Sequence, residues 1–233
     1  MDAISSGAAE LRGEEARHLS RVLRAAEGQL YEISDNQHAY LARIEAARGD
    51  RVLFRVVEPL APAPPPVRIM LCSALVKFDA FEWIVEKATE MGVERLLPVN
   101  TARSDKGLFE ATVKRRERWV RIAREASQQS RRTHLPEILP ATGFEHCLAA
   151  EADHRYFLDE EAAPPLLGIL PEARAAADRV ALLVGPEGGW TGVERDMAAE
   201  AGWLGASLGR GVLRAETAVV ASLGIVIGAW MVG

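Results

Sequence analysis

Residues 59–66 read Pro-Leu-Ala-Pro-Ala-Pro-Pro-Pro, and five of these eight are proline. Proline locks φ and offers no backbone donor, so neither a helix nor a central strand can run through such a stretch. A proline-rich run is a stiff, extended connector. The chain is therefore expected to fold as two units, residues 1–62 and 67–233, joined by a linker at 59–66.

The two sides differ in pattern. Before the prolines, residues 14–25 read as a short helix, and 29–34, 38–46 and 50–58 as strands. Asp35-Asn36 and Arg48-Gly49-Asp50 supply the turns. This is a small β-rich unit. After the prolines, strands alternate with helices. Val67–Leu75, Val93–Val99, His154–Leu158, Arg179–Val184 and Trp203–Leu208 read as strands. Helices are expected over Asp79–Met91 and Phe109–Arg131, and again from about Glu216. Such alternation implies an α/β fold with a mostly parallel sheet covered by helices on both faces.

Composition narrows the function classes. The chain is 48% hydrophobic and 26% charged, as a globular protein is. Its two cysteines, Cys72 and Cys147, lie too far apart for a zinc-binding pair and too few for a disulfide scaffold, which suits a reducing cytoplasm. No metal site is expected. The N-terminus MDAISSGAAELRGEEAR lacks the basic and apolar regions of a secretory signal. The final 17 residues, Thr217–Gly233, carry no charge, but a spanning helix needs about 20 apolar residues. They read as a buried helix, so no membrane role is expected.

The net charge of −5 speaks against a nucleic-acid partner only until it is divided along the chain. Residues 1–66 carry −2, residues 67–140 carry +4 and residues 141–233 carry −7. Arg103–Arg132 holds 10 basic and 4 acidic residues. Screening at physiological salt limits each charge to about 8 Å, so a local basic patch can bind phosphate on an acidic protein.

Two loops carry the candidate chemistry. Gly185-Pro186-Glu187-Gly188-Gly189-Trp190-Thr191-Gly192 follows an apolar strand, and its four glycines permit close backbone approach to a ligand. It matches neither GxGxxG nor the P-loop. Thr191 and Glu194 have the spacing of a capping box, whereas Glu187 has no capping role. The second loop, Leu208-Gly209-Arg210-Gly211-Val212-Leu213-Arg214-Ala215-Glu216-Thr217-Ala218, opens the last helix. Thr217 reads as a candidate cap. Arg214 calls for a partner, because a cation beside a helix N-terminus is unfavourable.

Together, GPEGGW-T-x-x-E and LG-x-x-VLR-x-ETA resemble the paired motifs of the RsmE-type 16S rRNA uracil-N3 methyltransferases, of the SPOUT class. The resemblance extends to His18–Arg24, to Phe81–Val93, to Arg103-Ser104, to Arg118-Trp119 with Ala123–Arg132, and to Pro136-Glu137-Ile138, in that order along the chain. The start MDAISSGAAEL departs from the basic strand with which that family opens. Arg210-Gly211 stands where the family reads proline–arginine.

The resemblance implies an N-terminal PUA-like β-barrel and a C-terminal domain tied in a deep trefoil knot. It implies S-adenosyl-L-methionine as cofactor, 16S rRNA of the small subunit as partner, and a cytoplasmic homodimer. The cofactor would lie against Leu158, Gly185, Pro186, Glu187, Gly188 and Gly189, and against Leu208, Gly209, Val212, Leu213, Thr217 and Ala218. Arg214 and Arg103 are candidates for stabilising charge on the base, with Glu187 or Glu216 as proton acceptor. Arg17, Arg21, Arg24, Lys114, Arg115, Arg131 and Arg132 would hold RNA phosphates. Rival readings are a related enzyme acting on a ribose 2′-hydroxyl or a tRNA guanine, and a non-catalytic RNA-binding assembly factor.

Overall fold

The computed structural model describes residues 4–5, 7–36, 38–61, 64–161 and 163–232. The chain forms two compact units, Met1–Ala63 and Pro64–Gly233.

The first unit is an antiparallel sheet of β1 (Ile4–Ser5), β2 (Ala8–Arg12), β3 (Leu30–Ser34), β4 (Ala39–Arg48) and β5 (Arg51–Leu60). The strand order is β1-β2-β5-β4-β3. Strand β2 pairs with β5 from Ala8↔Arg55 to Arg12↔Arg51, so the altered N-terminus still supplies a strand at this edge. Its Ala-Ala-Glu-Leu-Arg buries only Ala9, too little alternation to announce a strand. Two register shifts between β4 and β5, at Leu41/Ala42 and Ile44/Ala46, bend the sheet. Ile33, Ile44, Val52 and Phe54 fill its core against Ala16. The expected helix over 14–25 is shorter and irregular. Helix α1 (Gly13–Arg17) passes into a π-helical turn over His18–Val22, and Arg24 then takes φ +50°.

The second unit is α/β. Strands β6 (Arg68–Ala74), β7 (Arg95–Asn100), β8 (Glu137–Ile138), β9 (Thr142–Gly143), β10 (His154–Leu158), β11 (Arg179–Val184) and β12 (Leu204–Ala206) form one parallel sheet. Its order is β12-β10-β11-β6-β7-β8, with β9 also on β7. The central strands are apolar on both faces; Val180 to Val184 are all buried. Helices α2 (Phe78–Glu90), α3 (Leu108–Gln129) and α7 (Ala215–Met231) cover one face. Short α4 (Phe144–Cys147) and α6 (Gly192–Glu200) pack on the other, around Phe157, Trp190 and Trp203. A further short helix is α5 (Leu166–Ile169). Cys72 and Cys147 are both buried as free thiols in that second cluster.

Three sequence expectations shift. Strand β5 runs through Pro59 to Leu60, inside the expected linker, because β2 pairs with it only as far as Arg55 and Pro59 needs no donor on that side. Strand β12 is half the length read from Trp203–Leu208, because Trp203 turns into the core and Ser207 leaves β10 to bridge Pro165. Helix α7 starts at Ala215 with Arg214 at its N-cap, so Thr217 caps nothing and lies exposed in the first turn.

Candidate functional site

The connection leaving β11 skips over β10 to build β12 beyond it. The loops after β10, β11 and β12 therefore crowd at one carboxyl edge, where open α/β sheets bind ligands. They frame an open cleft, lined by Leu158–Glu160, by Val184–Pro186 with Gly189 and Trp190, and by the segment from Ser207 into the start of α7.

Glycine is required at two points of this wall. Gly185 faces the Trp190 indole, and a Cβ there would sit 2.9 Å from Cε2. Gly189 adopts φ +66°, and a Cβ on it would collide with the Glu160 carboxylate. Trp190, 2% exposed, is fixed by its Nε1–H donating to the Leu158 carbonyl at 2.8 Å and by its ring packing on Phe157 at 4.6 Å. The indole thus sets the spacing between the β10 and β11 loops. With Leu158, Val184, Pro186, Leu208, Leu213, Ala215 and Ala218, the cleft offers apolar surface beside bare backbone. A flat heteroaromatic ring, such as the adenosyl part of S-adenosylmethionine, suits apolar walls with backbone left bare by glycine.

Flanking the cleft, Asp159 and Arg195 form a bidentate pair at 2.6 and 3.0 Å, and Arg195 also donates to the Trp190 carbonyl at 3.0 Å. Burial raises the Asp159 carboxyl, but the Arg195 bond and the Glu161 N–H outweigh it, so the group titrates below the usual aspartate range. On the other side Arg103 donates to the Gly188 carbonyl. Thr191 and Glu194 form the expected capping box.

Of the sequence-selected cofactor residues, the structure brings together Leu158, Gly185, Pro186, Gly189, Leu208, Gly209, Leu213 and Ala218. Glu187, Gly188, Val212 and Thr217 lie outside the cleft wall and are exposed. Arg214 and Glu216 stand at the start of α7, 4.0 Å apart, with side-chain exposures of 83% and 21%. In the first unit Arg17, Arg21 and Arg24 are exposed. In the second, Lys114 and Arg131 are exposed, Arg115 pairs with Glu82 and lies over the Phe78 ring, and Arg132 donates twice to the Glu90 carbonyl. Sequence reasoning missed the Asp159–Arg195 pair and Glu160. Partners 36 residues apart carry no local signal.

Among the described residues, no cluster of His, Cys, Asp or Glu could hold a metal ion. No helix among them is long and apolar enough to cross a membrane.

Comparison with known proteins gives the family. An RNA methyltransferase domain matches residues 63–227, and an RNA methyltransferase PUA domain matches residues 11–57. The ribosomal RNA small subunit methyltransferase E of Aquifex aeolicus is 31% identical over 219 residues, which cover 93% of each chain. The chain belongs to the ribosomal RNA small subunit methyltransferase E family. The Bacillus subtilis member is 29% identical over 226 residues, covering 91% of this chain and 87% of its own. A crystal structure of the Neisseria gonorrhoeae member bound to S-adenosyl methionine superposes with a TM-score of 0.89 at 27% identity, covering 99% of this chain and 96% of that one. The α/β unit is thus the methyltransferase domain, and the unit before it is PUA-like.

Proposed function

We propose that this protein methylates N3 of a specific uridine in 16S rRNA of the small ribosomal subunit, with S-adenosyl-L-methionine as methyl donor. The observation that carries the reading is the glycine-walled cleft at the ends of β10, β11 and β12, in a chain of this family. When bound, the cofactor supplies an electrophilic methyl group on a sulfonium.

The protein's own work is positioning. Gly185 and Gly189 would let the cofactor approach the backbone, while Leu158, Leu208 and Leu213 would enclose its apolar parts and exclude water. Neutral uracil carries a proton on N3, so the base must lose it as the new bond forms. Arg214 and Arg103 are the cations that can stabilise the negative charge developing on the ring. Glu187 and Glu216 are the acceptors available for the proton. The N3 edge is consumed in base pairing, so the target must be unpaired or flipped out. Arg17, Arg21, Arg24, Lys114, Arg115, Arg131 and Arg132 supply phosphate contacts.

The class is SPOUT, with the crossover around β10 and α7 tied in a trefoil knot. The working form is a cytoplasmic homodimer. Helix α7 supports a dimer: it carries no charge after Glu216 and exposes Gly224, Gly228 and Met231. Equilibrium binding of S-adenosylmethionine, followed by methyl transfer to small subunits from a methylation-deficient strain, tests the reading. Binding with transfer is expected. Failure to bind the cofactor would contradict any enzymatic role.

A further inference from the structure

Glu194 is 5% exposed in the first turn of α6, and both of its carboxylate oxygens are engaged. Oε2 accepts the Thr191 N–H at 2.9 Å and the Thr191 hydroxyl at 2.8 Å, which is the helix cap. Oε1 accepts the backbone N–H of Ala102 at 2.9 Å. That third bond serves no cap, since Ala102 belongs to the loop after β7, 92 residues away in sequence. A buried carboxylate is costly unless its oxygens are hydrogen-bonded. An exposed glutamate would cap α6 as well, so the burial belongs to the bridge.

The residue after Ala102 is Arg103. Its guanidinium donates to the Gly188 carbonyl, and its Cβ would lie 3.3 Å from a Cβ on Gly188. The loop after β7 is braced internally too: the Thr101 N–H donates to Ser104 Oγ at 3.2 Å, and the two hydroxyls lie 2.9 Å apart. A rigid turn is thereby fastened through Ala102 to the helix that the glycine-rich loop opens.

We infer that Glu194 is a positioning residue for methyl transfer: its bond to Ala102 holds the Arg103 guanidinium against the glycine-rich loop beside the cleft. This rests on the functional reading above, in which Arg103 meets the substrate base. Glu194 itself touches neither substrate nor cofactor.

Two variants break the bridge differently. In Glu194→Gln only one oxygen remains to accept, so the amide cannot serve both Ala102 and Thr191. Glu194→Asp retains two oxygens for the cap but is one methylene short of Ala102. In the cofactor-free protein, both should speed amide hydrogen exchange at Ala102. In single-turnover assays, both should slow transfer about tenfold to hundredfold while cofactor Kd stays within about twofold. With Arg103→Ala already present, adding either should cost less than about twofold more, because the two residues act as a unit. An equal loss in both backgrounds, or an unchanged rate despite a released Ala102 amide, would overturn the inference. If the Gln variant does not fold, the Asp variant decides by the same readouts. Absence of transfer by the wild type would overturn the functional reading and this inference with it. An active wild type with an additive cycle overturns this inference alone.

Discussion

Arg195 grips Asp159 through two hydrogen bonds, at 2.6 and 3.0 Å, and so fastens the first turn of α6 to the loop leaving β10. With Asp159 side-chain exposure at 9% and Arg195 at 22%, the pair is largely withdrawn from water. Removing the Asp159 charge leaves Arg195 with only the more exposed Glu161, at 3.0 Å, as a carboxylate partner. Asp159→Asn is expected to destabilise the protein by about 2 kcal/mol, read from the urea midpoint, and to weaken cofactor binding as the β10 loop loosens.

The same pair gives a pH dependence. The folded Asp159 carboxyl titrates below its unfolded value. Its contribution to stability is therefore complete above about pH 4 and fades as pH falls through the folded value. Glu82, held down chiefly by its bond to Arg118, acts in the same direction. Thermal melts from pH 6 down to pH 3 should show Tm falling less steeply in Asp159→Asn than in the wild type.

Much of this was legible beforehand. The proline run, the change of period across it and the two glycine loops all act locally, through φ restriction and side-chain alternation. Strand β11 is a continuous apolar run after Arg179, β10 ends in the buried Tyr156-Phe157-Leu158, and both form where that pattern places them. The short strands β8 and β9 escaped, since two residues carry no period. The start of α7 was misread because Glu-Thr resembles a cap, while the chain enters the helix through extended Arg214 with φ −64° and ψ 153°. Glu194 was correctly legible as a cap, but its bond to Ala102 depends on the sheet bringing β7 and β11 to the same edge.

Gly185→Ala tests the cleft wall. The added Cβ would meet an indole that is both packed and hydrogen-bonded, so Trp190 cannot simply move aside. A loss of about 1–3 kcal/mol is expected from overpacking, accompanied by weaker S-adenosylmethionine binding in calorimetry.

Arg214→Ala should separate chemistry from folding. Its side chain is 83% exposed, so stability should change by less than about 0.5 kcal/mol. Cofactor affinity should be retained and methyl transfer lost. Normal transfer would remove Arg214 from the charge-stabilising role.

Arg131 offers a test in which stability and binding move in opposite directions. It follows α3 with φ +54°, a conformation glycine adopts without strain. Arg131→Gly should raise stability by up to about 1 kcal/mol and still weaken RNA binding, lowering the salt slope by about one. Lys114→Ala should weaken RNA binding with little change in stability.

The most direct test is nucleoside mass spectrometry of small-subunit RNA after incubation with the protein and S-adenosylmethionine. The expected product is uridine methylated on N3 of the base, at a single position. A methyl group on a ribose 2′-oxygen or on guanine, or no added methyl at all, would contradict the proposed activity.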